Sequence, residues 1–395
     1  IRIFLMRSTS IDVLRGIAIL GILFMNIPFH ANIYLGYVPF DPMLMSDKLM
    51  TLFYSIFADG RFRTLFCILF GAGIAIQYDS CKRRGMDTTI FLKSRLNWLL
   101  LFGFFHGVLI FGGDILMLYS LVGFVLIKGL SHDPDVLLQK ARKFLVIGSA
   151  LILLFAILLV AFADPTELIV RGSEQYLEDI ETWQSNYGFQ TLINAGFSIG
   201  LLIMSPLCIF WQTLGLMYLG VYLYRTDFFT QGFSSSTFTK IVISSIISTL
   251  LLIAPQLLID NLSAEVIPLL SSISAIFVGL VYAHVIVKLC QTSGRFSQLL
   301  ANTGKMAFSL YILQSVVMAI LLRGIVPNFE LTATHIDYFL IALSFTVIQI
   351  LIANLYLFKY EQGPLEKNWR KLYSRSVDKK LRELEKTPDN NVSSQ

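Results

Sequence analysis

Apolar runs of about 20 residues recur from Ile11 to Phe358. At about 1.5 Å per residue, each is long enough as a helix to cross a hydrocarbon core of about 30 Å. Strands of a membrane barrel run about ten residues and alternate apolar with polar, which these runs do not. The chain is expected to be all-α, a polytopic transmembrane helical bundle. Charged residues are 14% of the 395 and hydrophobic ones 55%, whereas a soluble domain carries about 25% charged residues. Water is not its main solvent.

About ten spans are expected, near 11–31, 62–78, 96–112, 114–130, 144–163, 200–224, 239–260, 266–289, 304–324 and 338–358. Lys82, Arg83, Arg84, Lys93 and Arg95 lie between the second and third, and Lys128, Lys140, Arg142 and Lys143 between the fourth and fifth. The positive-inside bias places those connections in the cytoplasm. The Gly112-Gly113 turn, the acidic stretch from Asp164 to Asn194, the piece around Asp260 and Glu265, and the piece around Glu330 and Asp337 then face outward. The tail, with Lys367, Arg370, Lys371, Arg375, Lys379 and Lys380, independently asks for the cytoplasm. An even number of spans puts both the N-terminus and the C-terminus there, as in a cytoplasmic-type membrane.

Residues 1–360 therefore read as one transmembrane domain, with the lipid bilayer as its first partner. Within the outer segment 164–194, Leu168, Ile169, Tyr176, Leu177, Ile180 and Trp183 can form one apolar helical face. Residues 361–395 read as a cytoplasmic interfacial helix, where Trp369 and Tyr373 alternate with lysine and arginine, followed beyond Lys386 by a disordered polar tail. The first ten residues lack a cleavable signal pattern, and Met6 is a natural start. The net charge of +5 sits in short loops beside spans, a pattern of orientation rather than of nucleic-acid binding. Cys67, Cys81, Cys208 and Cys290 share no metal-ligand spacing and imply neither a disulfide framework nor a metal site.

Ionisable residues inside spans are functional candidates by default. Asp12 and Arg15, three apart near the cytoplasmic end of the first span, can pair on one helix face. Asn26 lies on that face about three turns further out. The alternative is a structural ion pair with an interhelical amide. His106 sits about a turn and a half before Gly112-Gly113, and Asp114 follows that turn. If the turn folds the two helices antiparallel, the imidazole and carboxylate face one another near the outer side, as half of a general-base site. Read blandly, His106 is a packing histidine and Asp114 an N-cap. Arg61 and Arg63, at the outer end of the second span, can clamp an anion or merely anchor the membrane edge. His30 reads as an interface residue and His284 as a satisfied packing histidine. His132 and His335 are loop residues. Gln212, Gln314, Gln349 and Asn354 read as interhelical glue.

The strings SIDVLRGIAILGILFMNI, FRTLFCILFGAGIAI, FGFFHGVLIFGGDILMLYSLVGF, TGKMAFSLYILQS and EQGPLEKNWRKL resemble, in order, the YeiB-like family of bacterial inner-membrane proteins, a domain of unknown function. The opening D-x-x-R-G-I-A also resembles the first span of transmembrane acyltransferases of the acyltransferase-3 and lysosomal heparan N-acetyltransferase types. That resemblance implies transfer of an acyl group from cytoplasmic acyl-CoA, a co-substrate rather than a tightly bound cofactor, to an acceptor on the far side. Asp12 and Arg15 match the motif. The acyltransferase-3 histidine, fourteen residues after the aspartate, is replaced here by Asn26. His106 and Asp114, within the H-G and G-D-I-L elements of the YeiB-like pattern, are the substitutes.

The leading functional expectation is a membrane acyltransferase acting on an extracytoplasmic glycan or lipid hydroxyl. His106, Asp114 and Asn26 would do the chemistry, and Asp12, Arg15, Arg61 and Arg63 would bind donor or substrate. Two alternatives stand beside it. One is a multi-span transporter, with Pro206 and Pro255 breaking helices at depth; the other is a noncatalytic scaffold or sensor.

Overall fold

The computed structural model describes residues 2–162, 169–258, 266–291 and 294–386. Asp164, Leu168, Asp260, Glu265 and the tail beyond Lys386 lie outside the described residues, as do the expectations placed on them. Every regular element described is helical. The first half contains α1 (Arg2–Ala31), α2 (Met45–Phe57), α3 (Arg61–Arg83), α4 (Thr88–Leu109), α5 (Leu116–Leu126), α6 (Pro134–Phe162), α7 (Glu174–Gln184) and α8 (Tyr187–Met204). The second contains α9 (Phe210–Arg225), α10 (Phe228–Gln231), α11 (Ser235–Leu258), α12 (Val266–Cys290), α13 (Arg295–Lys305), α14 (Ala307–Ala319), α15 (His335–Lys359) and α16 (Pro364–Lys386).

Among the described residues, eight helical stretches are long and apolar enough to cross a membrane. Their outer faces carry bare aliphatic side chains, such as Leu250 and Leu251 on α11 and Leu351 and Leu355 on α15. Apolar surface on that scale is unfavourable in water and at home in lipid. The chain is a multi-pass helical membrane protein.

Two expected spans are interrupted. The run 200–224 breaks at a 3₁₀ turn, Ser205–Leu207, containing Pro206. Proline has no N–H to continue the helical ladder, so α8 ends there and α9 starts afresh. The run 304–324 starts at a second break, Met306, which separates α13 from α14. There Glu366 of α16 accepts from Phe308 N at 2.8 Å and Ser309 N at 3.1 Å, placing a carboxylate on the free amides of a new helix N-terminus. A helix that run length alone did not indicate is α2, whose 13 residues are too few to span. It buries Asp47, Tyr54 and Ser55 and exposes Met45, Leu49, Phe53 and Phe57.

The middle of the bundle is α9, buried on nearly every side against α3, α5 and α6. The glutamine and asparagine side chains are interhelical bonds, as expected. Gln314 donates to Ile19 O at 2.8 Å, Gln349 to Leu310 O at 3.2 Å, Gln212 to Ser272 O at 3.2 Å and Asn354 to Leu299 O at 3.2 Å. His284 accepts from Phe233 N at 2.9 Å and stacks between Phe233 and Phe238, a satisfied packing histidine. On α7, Tyr176, Ile180 and Trp183 are buried while Leu177 is about half exposed. Spacings of four and three keep the first three on one face, and Leu177 falls off it.

Candidate functional site at one end of the bundle

His106 ends the last full turn of α4, and the chain reverses through Gly112 and Gly113 into α5. The reversal is pinned from α8. Asn194 Oδ1 accepts from Gly112 N at 2.9 Å, Ser198 donates to Gly112 O at 3.0 Å, and Tyr187 donates to Leu109 O at 2.8 Å. Gly103 and Gly107 let α4 approach the start of α5. A Cβ at Gly103 would stand 2.9 Å from Asp114 Oδ2 and 2.7 Å from Met117 N, and one at Gly107 would stand 2.6 Å from Ser198 Oγ.

The result is a contact of 2.8 Å between His106 Nδ1 and Asp114 Oδ1, with both side chains buried. Asp114 Oδ2 accepts from Met117 N at 3.0 Å, so the residue also caps α5. The catalytic and capping readings of Asp114 are therefore compatible, with one oxygen for each. Tyr311 of α14 reaches Asp114 Oδ1 at 3.4 Å, and its ring centroid lies 5.0 Å from that of His106. With a carboxylate on Nδ1, the Nδ1–H tautomer is favoured and Nε2 is the basic nitrogen. His106 Nε2 is buried and has no hydrogen-bond partner.

His30 is 1% exposed, not the interface residue its sequence position suggested. Its ring lies 4.1 Å from that of Phe111, which in turn lies 6.4 Å from His106. Arg323 holds the same region together. Its Nε donates to His30 O at 2.8 Å and its Nη1 to Ile110 O at 3.0 Å, with the guanidinium 4.6 Å from the centre of Trp183. Trp183 Nε1 donates to Ala31 O at 2.7 Å, which lays α7 across this end of the molecule.

Asn26 is half-buried one turn before His30, and no hydrogen bond of its side chain is found among the described residues. Asp12 and Arg15 pair at 2.8 Å toward the opposite end of the apolar stretch Thr9–Ala31 of α1. The 15 residues from Arg15 to His30 span about 22 Å of helix. Arg61 and Arg63 diverge. Arg61 is fully buried and donates to Asp59 O, to Ser271 O at 3.2 Å and to Ser274 Oγ at 2.7 Å, while Arg63 donates to Gln212 Oε1 at 2.7 Å.

Sequence reasoning missed Arg323 and Tyr311. A single arginine in LLRG between apolar runs reads as a membrane-edge anchor, and a tyrosine in an apolar helix reads as packing. His335, set aside as a loop residue, meets Tyr37 edge to face with ring centres 3.6 Å apart, and Tyr37 donates to Asp47.

The chain is similar to known proteins along most of its length. Residues 223–376, which carry Tyr311 and Arg323, match the family described as Protein of unknown function (DUF418). Uncharacterized protein YeiB of Escherichia coli (strain K12) is 27% identical over 391 residues, covering 94% of this chain and 97% of that protein. Uncharacterized protein YxaH of Bacillus subtilis (strain 168) is 26% identical over 397 residues, covering 92% and 93%. The chain is similar to these two proteins over nearly its whole length. A third relative, the uncharacterized 39.9 kDa protein in the amylase 3' region of Bacillus acidopullulyticus, is 26% identical over 370 residues, covering 92% of this chain and 93% of that protein.

One acid near the covering helix has a consequence for stability. Glu330 is 4% exposed, and Gln184 of α7 reaches it at 3.4 Å. Burial pushes its carboxyl up to about 7, against the neighbouring Asn32 and Gln184 amides and the charge of Arg171, which pull it down. The unfolded value is about 4.3, so folding favours the protonated form. The stability this lends is complete below about pH 4.3 and is lost as pH rises through about 7, a change of up to about 4 kcal/mol. Melting temperature in detergent should fall from pH 5 to pH 8, and Glu330→Gln should flatten that fall. A variant with the wild-type slope would show that Glu330 is not its source.

Proposed function

We propose that this YeiB-like protein is a membrane acyltransferase that moves an acyl group from cytoplasmic acyl-CoA to a glycan or lipid hydroxyl on the outer side. The observation that carries this reading is the buried His106–Asp114 pair, with Nδ1 occupied and Nε2 unpartnered. In the proposed step, Nε2 takes the hydroxyl proton as the acceptor oxygen attacks the thioester carbonyl. The C–S bond then breaks, and the leaving thiolate recovers the proton from His106. In this reading Asn26 would donate to the developing oxyanion, where one good donor is worth about 3 kcal/mol. Arg15, with Asp12 fixing its direction, meets the donor phosphates at the opposite end. Arg61 and Arg63, engaged with helix partners, support the outer end from α3.

The same proposal orients the chain with about ten crossings and both termini in the cytoplasm. In it, α8 lies along the outer end, touching Leu109 and Gly112, and α9 makes the crossing from Gln212 beside Arg63 to Arg225 beside Asp79. The membrane is then the bacterial cytoplasmic membrane. Alkaline phosphatase fused after Lys386 should be inactive, and fused at Asp179 active; the reverse pattern would invert the topology. The activity test compares acyl content of envelope glycans and lipids between cells with the gene and cells with a deletion. Identical profiles with the protein made would end the acyltransferase reading. Movement of a solute by proteoliposomes, abolished by Arg15→Ala, would favour transport instead.

A further inference from the structure

Among the buried side-chain nitrogens without a hydrogen-bond partner, three lie close together at the outer end: Arg323 Nη2, His30 Nδ1 and His106 Nε2. All three belong to residues gathered about Phe111. The two imidazoles face its ring at 4.1 and 6.4 Å, and Arg323 binds the carbonyls of Ile110 and His30. Each is a nitrogen that a bound oxygen can use. No carboxylate among the described residues forms an ion pair with Arg323, whose contacts are two backbone carbonyls and the face of Trp183. A buried guanidinium in that state carries uncompensated charge, and an anion in its fork is the arrangement that relieves it.

The flanks of the site say where such an anion comes from. Arg323 sits in a π-helical turn, Ile320–Ile325, whose Ile320 and Ile325 are 56% and 67% exposed, and Leu109, beside Ile110, is 41% exposed. Apolar surface therefore lies immediately beside the charged group, at the lateral edge where α4 and α14 end together. An occupant with an anionic head and a hydrocarbon tail fits both, whereas a free inorganic anion leaves the apolar flanks unused. We propose that Arg323 binds the phosphate of a lipid phosphodiester from the outer leaflet, with the headgroup hydroxyl presented to His106 Nε2. This rests on the acyl-transfer reading only for the fate of the hydroxyl, and it names the acceptor as an anionic lipid. Trp183 of α7 covers the phosphate from outside, and Asp114 keeps Nε2 free to accept the hydroxyl proton.

The test is lipid retention by the full-length protein, exchanged in mixed micelles of equal phosphatidylglycerol and phosphatidylcholine and read by native mass spectrometry. No acyl donor is present, so failure here leaves His106 chemistry untouched, and an inactive His106 variant leaves this binding untouched. Wild type should retain phosphatidylglycerol with at least about tenfold preference, which corresponds to about 1.4 kcal/mol. Arg323→Gln should bring the preference close to unity, and Arg323→Lys should restore part of it. Inorganic phosphate added in excess should not displace the lipid. An even lipid distribution on wild type overturns the proposal whether or not the Arg323 variants fold. So does a preference unchanged in Arg323→Gln, and so does displacement by inorganic phosphate, which would make this a site for a soluble anion.

Discussion

Asp114→Asn is expected to abolish acyl transfer while leaving the bundle folded. The amide oxygen can still accept from Met117 N, as Asp114 Oδ2 does at 3.0 Å, so the cap on α5 persists. The amide nitrogen, however, then faces His106 Nδ1, where the carboxylate stood at 2.8 Å. A donor at that place inverts the tautomer, puts the proton on Nε2 and removes the lone pair that a base needs. A general base contributes about 10²–10⁴ in rate, and a fall of that size is the expected reading in membranes supplied with radiolabelled acyl-CoA. His106→Ala should fall as far, but it also strands the Asp114 carboxylate in a buried place, which destabilises. Asp114→Asn is therefore the cleaner variant. A rate within about threefold of wild type, with the protein present at normal level, is too small a change for a lost base and would remove His106 from the mechanism.

What was legible in the sequence follows from which signals are local. Helical class came from run length, because a span needs its apolar residues consecutive. The His106–Asp114 contact came from a turn, because eight residues separate the two and Gly112-Gly113 permits one reversal between them. Arg323 and His30 are 293 residues apart, and no local pattern joins them. Their meeting depends on how α14 packs against α1 and α4. Of Pro206 and Pro255, both of which the transporter alternative has breaking helices, the first ends α8 and the second lies inside α11, since prolines in membrane helices are often accommodated by neighbours. The divergence of Arg61 and Arg63 was available in principle. Residues two apart on a helix point about 200° apart, and α3 begins at Arg61 itself, so a shared clamp would have required extended backbone there.

The largest stability effect is expected where two glycines on one helix behave oppositely. Gly71 of α3 faces α9 so closely that a Cβ would stand 2.1 Å from Met217 O, and across the same seam a Cβ at Gly220 would stand 1.9 Å from Ile68 O. Both obstacles are backbone carbonyls, which cannot rotate aside as a side chain does. Small residues at such a seam let helices approach within van der Waals reach, the main attraction available when lipid is as apolar as the core. Gly73, two residues along α3, has nothing within 4 Å of its would-be Cβ. Gly71→Ala therefore has to push α3 away from the central helix, at about 3 kcal/mol, the upper end for overpacking. Gly73→Ala meets no obstacle and gains up to about 1 kcal/mol of helix propensity. Melting of the full-length protein in detergent, followed by loss of the monodisperse peak, should drop sharply for the first and hold or rise for the second. If the two variants melt together, α3 and α9 do not meet through Gly71. The packing of α3 against the central helix described here would then have to be redrawn, and with it the placement of Arg63 against Gln212.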